Sequence, residues 1–348
     1  MSPSIRYATT TDGVRLAFST LGEGVPVLCL PPFPFSHLEA GWRLEGQRRW
    51  YERLAEGAQV AIYDARGTGL SDREQRDFSI EAMTLDLEAV ARQLGWEQFA
   101  LCGLFNSTPV AIDYAARHPK TVSDLILWGA FTRGAEVYPV GLPAEAPDLV
   151  GVYWRMLVDT AARTWTASAD EAAEVADFFA MCVEPETALR VFAAARAYDV
   201  DQQLASVSQR TLILHRPAAR SQLPDLAPTL ASRMPNAELA LLEGAAASPF
   251  VGGIDASIEA IERFLGLGDA PSSSLRFGRQ ASGGEFGLTA REAEVLRLLA
   301  RGLPNKQIAQ ELGLSVHTVE RHLTNLYPKI DCRSRTEATA FALTHGHA

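Results

Sequence analysis

The chain has 348 residues, of which 47% are hydrophobic and 21% charged, and a net charge of −10. That length admits one large domain with its own core and a smaller second one, and the composition is that of a globular protein rather than a disordered or fibrous one. No apolar run approaches the roughly 18 residues that would span a bilayer, and the opening MSPSIRYATT lacks the basic and apolar regions of a secretion signal, so a cytoplasmic protein without a membrane partner is expected.

Short apolar runs recur along the first 250 residues as VPVLCL (25–30), QVAIYD (59–64), QFALCGL (98–104), DLILWGA (124–130), TLILHR (211–216) and AELALLEG (237–244). They do not alternate with polar residues, which predicts central strands covered on both faces. Between them lie helical patterns. In SIEAMTLDLEAVARQLG, Met83, Leu87, Val90 and Leu94 repeat at four, three and four, making one apolar stripe on a helix that Ser79 can cap. Strand and helix in alternation predict an α/β fold with a mostly parallel sheet.

Residues 132–205 interrupt this alternation with a helical stretch carrying Tyr138, Tyr153, Trp154, Trp165, Phe178, Phe179, Phe192 and Tyr198. It reads as a lid inserted between two core strands, its aromatics serving either a ligand or the lid's own core. After a last core helix at 256–266 comes LGDAPSSSLRFGRQASGGEFG, rich in Gly, Ser and Pro, which predicts a flexible linker. The expected division is a large domain over 1–268, a linker over 269–285 and a small domain over 286–348. Cys29, Cys102, Cys182 and Cys332 lie far apart, without the close pairs of zinc or redox motifs. Buried free thiols are expected, with no metal and no cofactor.

The order of elements, together with PPFPFSH (31–37), DARGTGLSD (64–72), the turn at 103–108 and the tail LEGAAASPF, resembles the α/β-hydrolase fold over residues 5–266. The resemblance implies an oxyanion loop at 31–37 and a nucleophile on a strained strand-to-helix turn of the form G-x-S-x-G. Laying Gly103 on the first glycine puts Phe105 at the nucleophile. The base falls on Ala247 and the acid on Ala218 or Ala219, and no histidine occurs between His215 and His317. All three members of the triad are thus replaced by groups that handle no proton, so no enzyme is expected. Ser107, Cys102, His37, His118 and His215 offer no alternative unit at this level, although a bifunctional hydrolase using Ser107 stays open.

What the replacements leave is a candidate apolar site. Ala218 and Ala247 empty polar volume, Phe33, Phe35 and Phe105 add aromatic surface, and Trp154 comes from the lid. By the resemblance, the backbone N–H groups of Phe33 and Asn106 correspond to the oxyanion donors and would hold a carbonyl or carboxylate. A small, largely apolar effector follows, with aromatic and acyl acids among the candidates. The other reading is that Phe105 simply fills the old site.

Residues 286–348 carry eight Lys/Arg against six Asp/Glu, a net of +2 that leaves −12 for residues 1–285. Thr289 and Glu292 form a capping box, with Val295, Leu298 and Leu299 facing inward. Ile308 and Leu312 do the same in the next helix, before Gly313. Ser315 caps a third, in which Val319, Leu323, Leu326 and Ile330 repeat at four, three and four. Its other face carries His317, Glu320, Arg321 and Thr324, with Asn325 beside them. The segment resembles the LuxR-type helix-turn-helix domain over its whole length. That implies double-stranded DNA as partner, base contacts from Glu320, Arg321 and Thr324, and phosphate contacts from Asn305, Lys306, Lys329 and Arg335. Ser315, His317, Thr318 and Asn325 complete the expected interface. Glu320 stands where lysine is frequent, and Pro328 interrupts the recognition helix. A charge of only +2 supports few phosphate contacts, so a homodimer is expected, paired through SRTEATAFALTHG.

Overall fold

The chain begins with an antiparallel hairpin that the apolar runs do not announce. β1 (Arg6–Thr9) and β2 (Arg15–Leu21) turn through Thr10, whose hydroxyl accepts from Val14 N–H at 2.8 Å, and Gly13 at φ +91°. In the computed structural model the described residues are 3–138, 147–166, 168–219, 226–267, 277–278, 290–301, 303–312, 319, 323, 326, 327, 330, 332 and 335–344.

The remaining strands are β3 (Val25–Cys29), β4 (Ala58–Tyr63), β5 (Phe99–Leu104), β6 (Val122–Trp128), β7 (Arg210–His215), β8 (Ala237–Leu241) and β9 (Phe277–Gly278). Among the described residues they form one sheet in the order β1-β2-β4-β3-β5-β6-β7-β8-β9. β2 joins β4 antiparallel, the strands from β4 through β8 are all parallel, and β9 pairs antiparallel with β8. All six expected runs are therefore strands of a mostly parallel sheet.

The helices of this unit are α1 (Leu38–Gly41), α2 (Glu45–Leu54), α3 (Ile80–Leu94), α4 (Thr108–Arg117), α5 (Gly134–Val137), α6 (Pro147–Trp165), α7 (Ala169–Cys182), α8 (Pro185–Ala197), α9 (Ala227–Arg233) and α10 (Ile254–Leu265). Two layers of them explain why the strands read as unbroken apolar runs. Leu125 and Leu127 of β6 pack with Leu87 and Val90 of α3 and Val110 of α4. Ile126, between them, packs on the other face with Trp50 and Leu54 of α2 and Ile258 of α10. The Ser79 hydroxyl accepts from Ala82 N–H at 3.2 Å to start α3, and Gly95 at φ +70° ends it.

α5 to α8 occupy the interval between β6 and β7 where the lid is expected. Their aromatic side chains form a core of their own, into which Phe35 reaches from the sheet domain to stack on Phe179 at 3.8 Å. Phe35, Trp154, Phe178 and Phe192 are all buried in this cluster, so the lid's aromatics chiefly hold the lid together.

The chain divides into two compact units, 1–278 and 279–348, and Phe277 and Gly278, within the stretch expected as a linker, pair with β8 of the sheet. In the second unit, α11 (Ala290–Ala300), α12 (Asn305–Leu312) and a last helix, Arg335–Thr344, enclose Val295, Leu299, Ile308, Val319, Leu326 and Ala338. The capping box at Thr289 lies outside the described residues.

Candidate functional site

β5 ends at Leu104, and the chain enters α4 through a single 3-10 turn, Phe105–Ser107. Phe105 has φ +52°, the one non-glycine residue with positive φ among those described. For a residue with a Cβ that conformation costs roughly 1–2 kcal/mol. Gly103 makes the turn possible, because a Cβ there would lie 2.9 Å from Ala111 Cβ and 3.2 Å from Thr108 Cα. The strained turn of a nucleophile is thus present with a benzyl group at its apex. The Phe105 ring stacks on Trp165, the last residue of α6, at 5.1 Å and 26°.

Ser107 is fully buried. Its hydroxyl accepts from Leu104 N–H at 2.8 Å and donates to Leu104 O at 2.9 Å, so it closes the turn rather than facing a substrate. Cys102 lies opposite Cys29 in the sheet register, and its neighbourhood together with burial pushes the Cys29 thiol well up. His37 caps α1 by accepting from Ala40 N–H at 3.3 Å, and burial lowers its pKa. His118 ends α4 stacked on Tyr114 at 4.2 Å. No nucleophile–base pair forms among these residues.

A cavity of about 280 Å³ opens beside Phe105, at the carboxyl ends of β6 and β7. Open parallel sheets place their ligand crevices at such strand ends. Phe105, Trp128 and Phe131 supply aromatic walls, and Ala219 and Ala247, the positions that the resemblance gives to the acid and base, also line it. Ala218, the other position considered for the acid, is exposed and outside the lining.

Of the two expected oxyanion donors, the Phe33 N–H is spent on an internal bond. Phe33 is buried in the sheet core, and its N–H donates to Pro31 O at 2.8 Å. The Asn106 amide donates to Phe33 O at 3.0 Å and accepts from Tyr138 Oη–H at 2.6 Å. Phe35 and Trp154 sit 6.2 Å apart in the lid cluster. None of these four lines the cavity, because the loop after β3 turns Phe33 under the sheet and sends Phe35 into the lid.

The residue that sequence reasoning missed is Arg216, directly after β7. It is 3% exposed, and its Nη1 donates to the carbonyls of Ala246 (3.2 Å), Ser248 (2.9 Å) and Val251 (2.7 Å), while Nη2 donates to Gly252 O. Its guanidinium lies 5.0 Å from the Trp128 ring centroid. Burial lowers its pKa to about 10, which leaves it cationic at neutral pH. No carboxylate among the described residues lies within ion-pair distance. The signal is the arginine of HRPAAR, close to where the resemblance implies an acid. The loop that Arg216 grips carries Ala247, whose N–H donates to Thr164 O of α6 at 3.0 Å and whose carbonyl accepts from Trp128 Nε1–H at 2.8 Å.

A second cavity, of about 370 Å³, lies between α7 and this loop, with Trp165, Arg49 and Glu174 in its wall. The Phe105–Trp165 stack joins a wall of the first cavity to a wall of the second. Asp64, from DARGTGLSD, accepts from Leu38 N–H (3.2 Å) and Leu70 N–H (2.8 Å), yet burial pushes its carboxyl up to about 7.

In the second unit, Asn305 and Lys306 begin α12. The Arg335 guanidinium donates to Asn305 Oδ1 at 2.9 Å and to Leu303 O at 2.5 Å, so Arg335 and Asn305 brace each other, while Lys306 is exposed. Ser315, His317, Thr318, Glu320, Arg321, Thr324, Asn325 and Lys329 lie outside the described residues. The opposite face of that segment is described, and Val319, Leu323, Leu326 and Ile330 are all buried, as the four-three-four spacing requires. Among the described residues there is no cluster of metal-ligating side chains, and no helix long and apolar enough to cross a membrane.

Residues 287–342 match the family described as bacterial regulatory proteins, luxR family. Over 55 residues the chain is 46% identical to the transcriptional regulatory protein LiaR of Bacillus subtilis, a stretch that covers 16% of this chain and 26% of that protein. Over 56 residues it is 52% identical to the nitrate/nitrite response regulator protein NarP of Escherichia coli, again 16% and 26%. The chain thus spans about a quarter of the length of these relatives. Among solved structures, the enol-lactonase from Burkholderia xenovorans LB400 superposes with a TM-score of 0.62 at 19% identity, covering 75% of this chain and 100% of that one. An esterase from Exiguobacterium antarcticum gives 0.62 at 20%, covering 75% and 98%. At such identities the likeness concerns the fold. The chain carries, behind an α/β-hydrolase fold, a helix-turn-helix module of the luxR family of bacterial regulatory proteins.

Proposed function

We propose that the protein is a one-component transcription regulator, in which the α/β-hydrolase-like domain binds a small, largely apolar effector without turning it over and the C-terminal module binds double-stranded DNA as a dimer. The observation that carries the reading is the cavity beside Phe105, lined by alanine at both places where a hydrolase keeps its acid and base. A site plugged by Phe105 would not leave about 280 Å³ beside it. That volume lies just below the range of roughly 300–1,000 Å³ usual for small-molecule sites, so the effector is small.

Coupling follows from the loop 246–252. Arg216 grips it from the cavity side and Thr164 ties it to α6. An effector lodged against Ala247 therefore bears on the lid, and it switches the protein to the extent that it binds one lid arrangement more tightly than another. On the DNA side, the exposed Lys306 contacts phosphate, and Lys329 has the same role. Glu320, Arg321, Thr324 and Asn325 read the major groove, and Ser315, His317 and Thr318 lead into it. Arg335 acts through Asn305, by fixing the start of α12.

Native mass spectrometry of the protein purified from its own host is expected to show a dimer that retains a small molecule. If residues 286–348 alone regulate in response to the effector as the full chain does, the sensor assignment is lost. Hydrolysis of short p-nitrophenyl esters above background, abolished by Ser107→Ala, would instead establish a bifunctional hydrolase.

A further inference from the structure

Among the described residues, none neutralises the charge of Arg216. A guanidinium has five N–H donors. Three carbonyls take Nη1 and one takes Nη2, while Nε is buried and has no partner among the described residues. Carbonyl dipoles and the Trp128 ring stabilise the cation, but none of them carries a negative charge. Burying an uncompensated charge is costly, and an anion brought alongside recovers part of that cost through charge-assisted hydrogen bonds.

The cavity meets this cation with walls of a different kind. Arg216 and His215 are on one side, and Phe105, Trp128 and Phe131 on the others. At the place the resemblance gives to a hydrolase's acid stands Ala219, and among the described residues no carboxylate competes for the arginine. Among the described residues, the lining beside Arg216 and His215 is apolar and aromatic and carries no negative charge.

We propose that the cavity selects small carboxylates with an apolar or aromatic body, and that Arg216 is the residue that reads the carboxylate. This rests on the cavity being the effector site and adds the chemical class of the effector. The anionic end lies where the acid and base of a hydrolase would stand, not in the oxyanion corner, whose Phe33 N–H is committed to Pro31. Bound there, the carboxylate shares Arg216 with the loop 246–252, so the group that recognises the effector also holds the segment tied to α6.

The test is isothermal titration of the full chain at neutral pH with benzoate and hexanoate, each beside its amide. The acids are expected to bind at least about tenfold more tightly than the amides. Arg216→Gln is expected to bring that ratio close to one, and Arg216→Lys, which keeps a charge, to retain part of it. Ala219→Phe, which fills the cavity and leaves Arg216 in place, is expected to abolish binding of both kinds with the apo melting temperature unchanged. If amides bind as tightly as acids and Ala219→Phe abolishes both, the carboxylate assignment is overturned and the effector site stands. If no probe binds, or Ala219→Phe binds as the parent does, the effector-site reading itself falls and this proposal with it.

Discussion

The ring of Phe105 lies 5.1 Å from that of Trp165, 26° from parallel, so the apex of the turn after β5 is covered by the final residue of a lid helix. Trp165 also meets Phe179 edge-on at 4.9 Å, which continues the contact into the lid's own core. The lid is therefore seated by stacking, on a residue that a hydrolase would need to keep bare.

Trp165→Ala is expected to loosen that seat. Loss of the stacks and of half-buried area should destabilise the first unit by about 1–3 kcal/mol. Limited proteolysis should cut the lid faster while α3 and α4 stay protected. Unchanged lid proteolysis would show that the stack does not hold it.

Phe105→Ser restores a hydroxyl to the apex but no base, since Ala247 and Ala219 remain. Release of p-nitrophenol from short esters is expected to stay at background. Ser107→Ala should leave that background unchanged and lower stability by about 1–3 kcal/mol, because it strips Leu104 N–H and C=O of a buried partner. The pair of measurements separates a hydroxyl that braces from one that reacts.

Asp64 gives the first unit a pH dependence with a definite sign. Its carboxyl is pushed from 3.8 to about 7 by burial, so the folded chain holds a proton that the unfolded chain has released. The stability tied to that proton is complete below the unfolded value and is lost as pH rises through about 7. Asp86, pushed up to about 6 beside Arg66, acts in the same direction. Asp64→Asn is expected to flatten the fall in melting temperature between about pH 5 and pH 8, by the equivalent of about 1–3 kcal/mol. A parent protein that becomes steadily more stable over that interval would contradict the burial argument.

Lys306 and Arg335 should behave differently on DNA. Lys306→Ala is expected to weaken binding of all sequences alike and to reduce the salt slope of log affinity by about one. Arg335→Ala is expected to lower the melting temperature of the second unit first, by releasing Asn305 and Leu303, with Asn305→Ala non-additive on top of it. Additive effects of the two would make Arg335 an independent phosphate contact.

Much of this architecture is legible in the sequence because burial on both faces leaves an unmistakable apolar run, as in FALCGL of β5, all six residues of which are buried. β1 and β2 escape that test because an edge hairpin keeps polar residues such as Arg6 and Arg15 on an open side. The turn at Phe105 is legible for another reason, since Gly103 and the helix after it constrain where the apex must fall. The lining of the cavity is not. Whether Phe33 enters it or goes under the sheet depends on a loop path that local spacing does not encode, and Arg216 looks like any strand-end arginine until its four carbonyl partners, brought from residues 246–252, are in place.

The positive φ of Phe105 decides what its ring can touch. A left-handed apex serves a nucleophile by thrusting its oxygen forward, and phenylalanine gains nothing comparable from it. Held in place by the close approach of Gly103 to Ala111 and Thr108, the apex instead projects a flat ring on which Trp165 settles, so the main chain fixes where the lid is received.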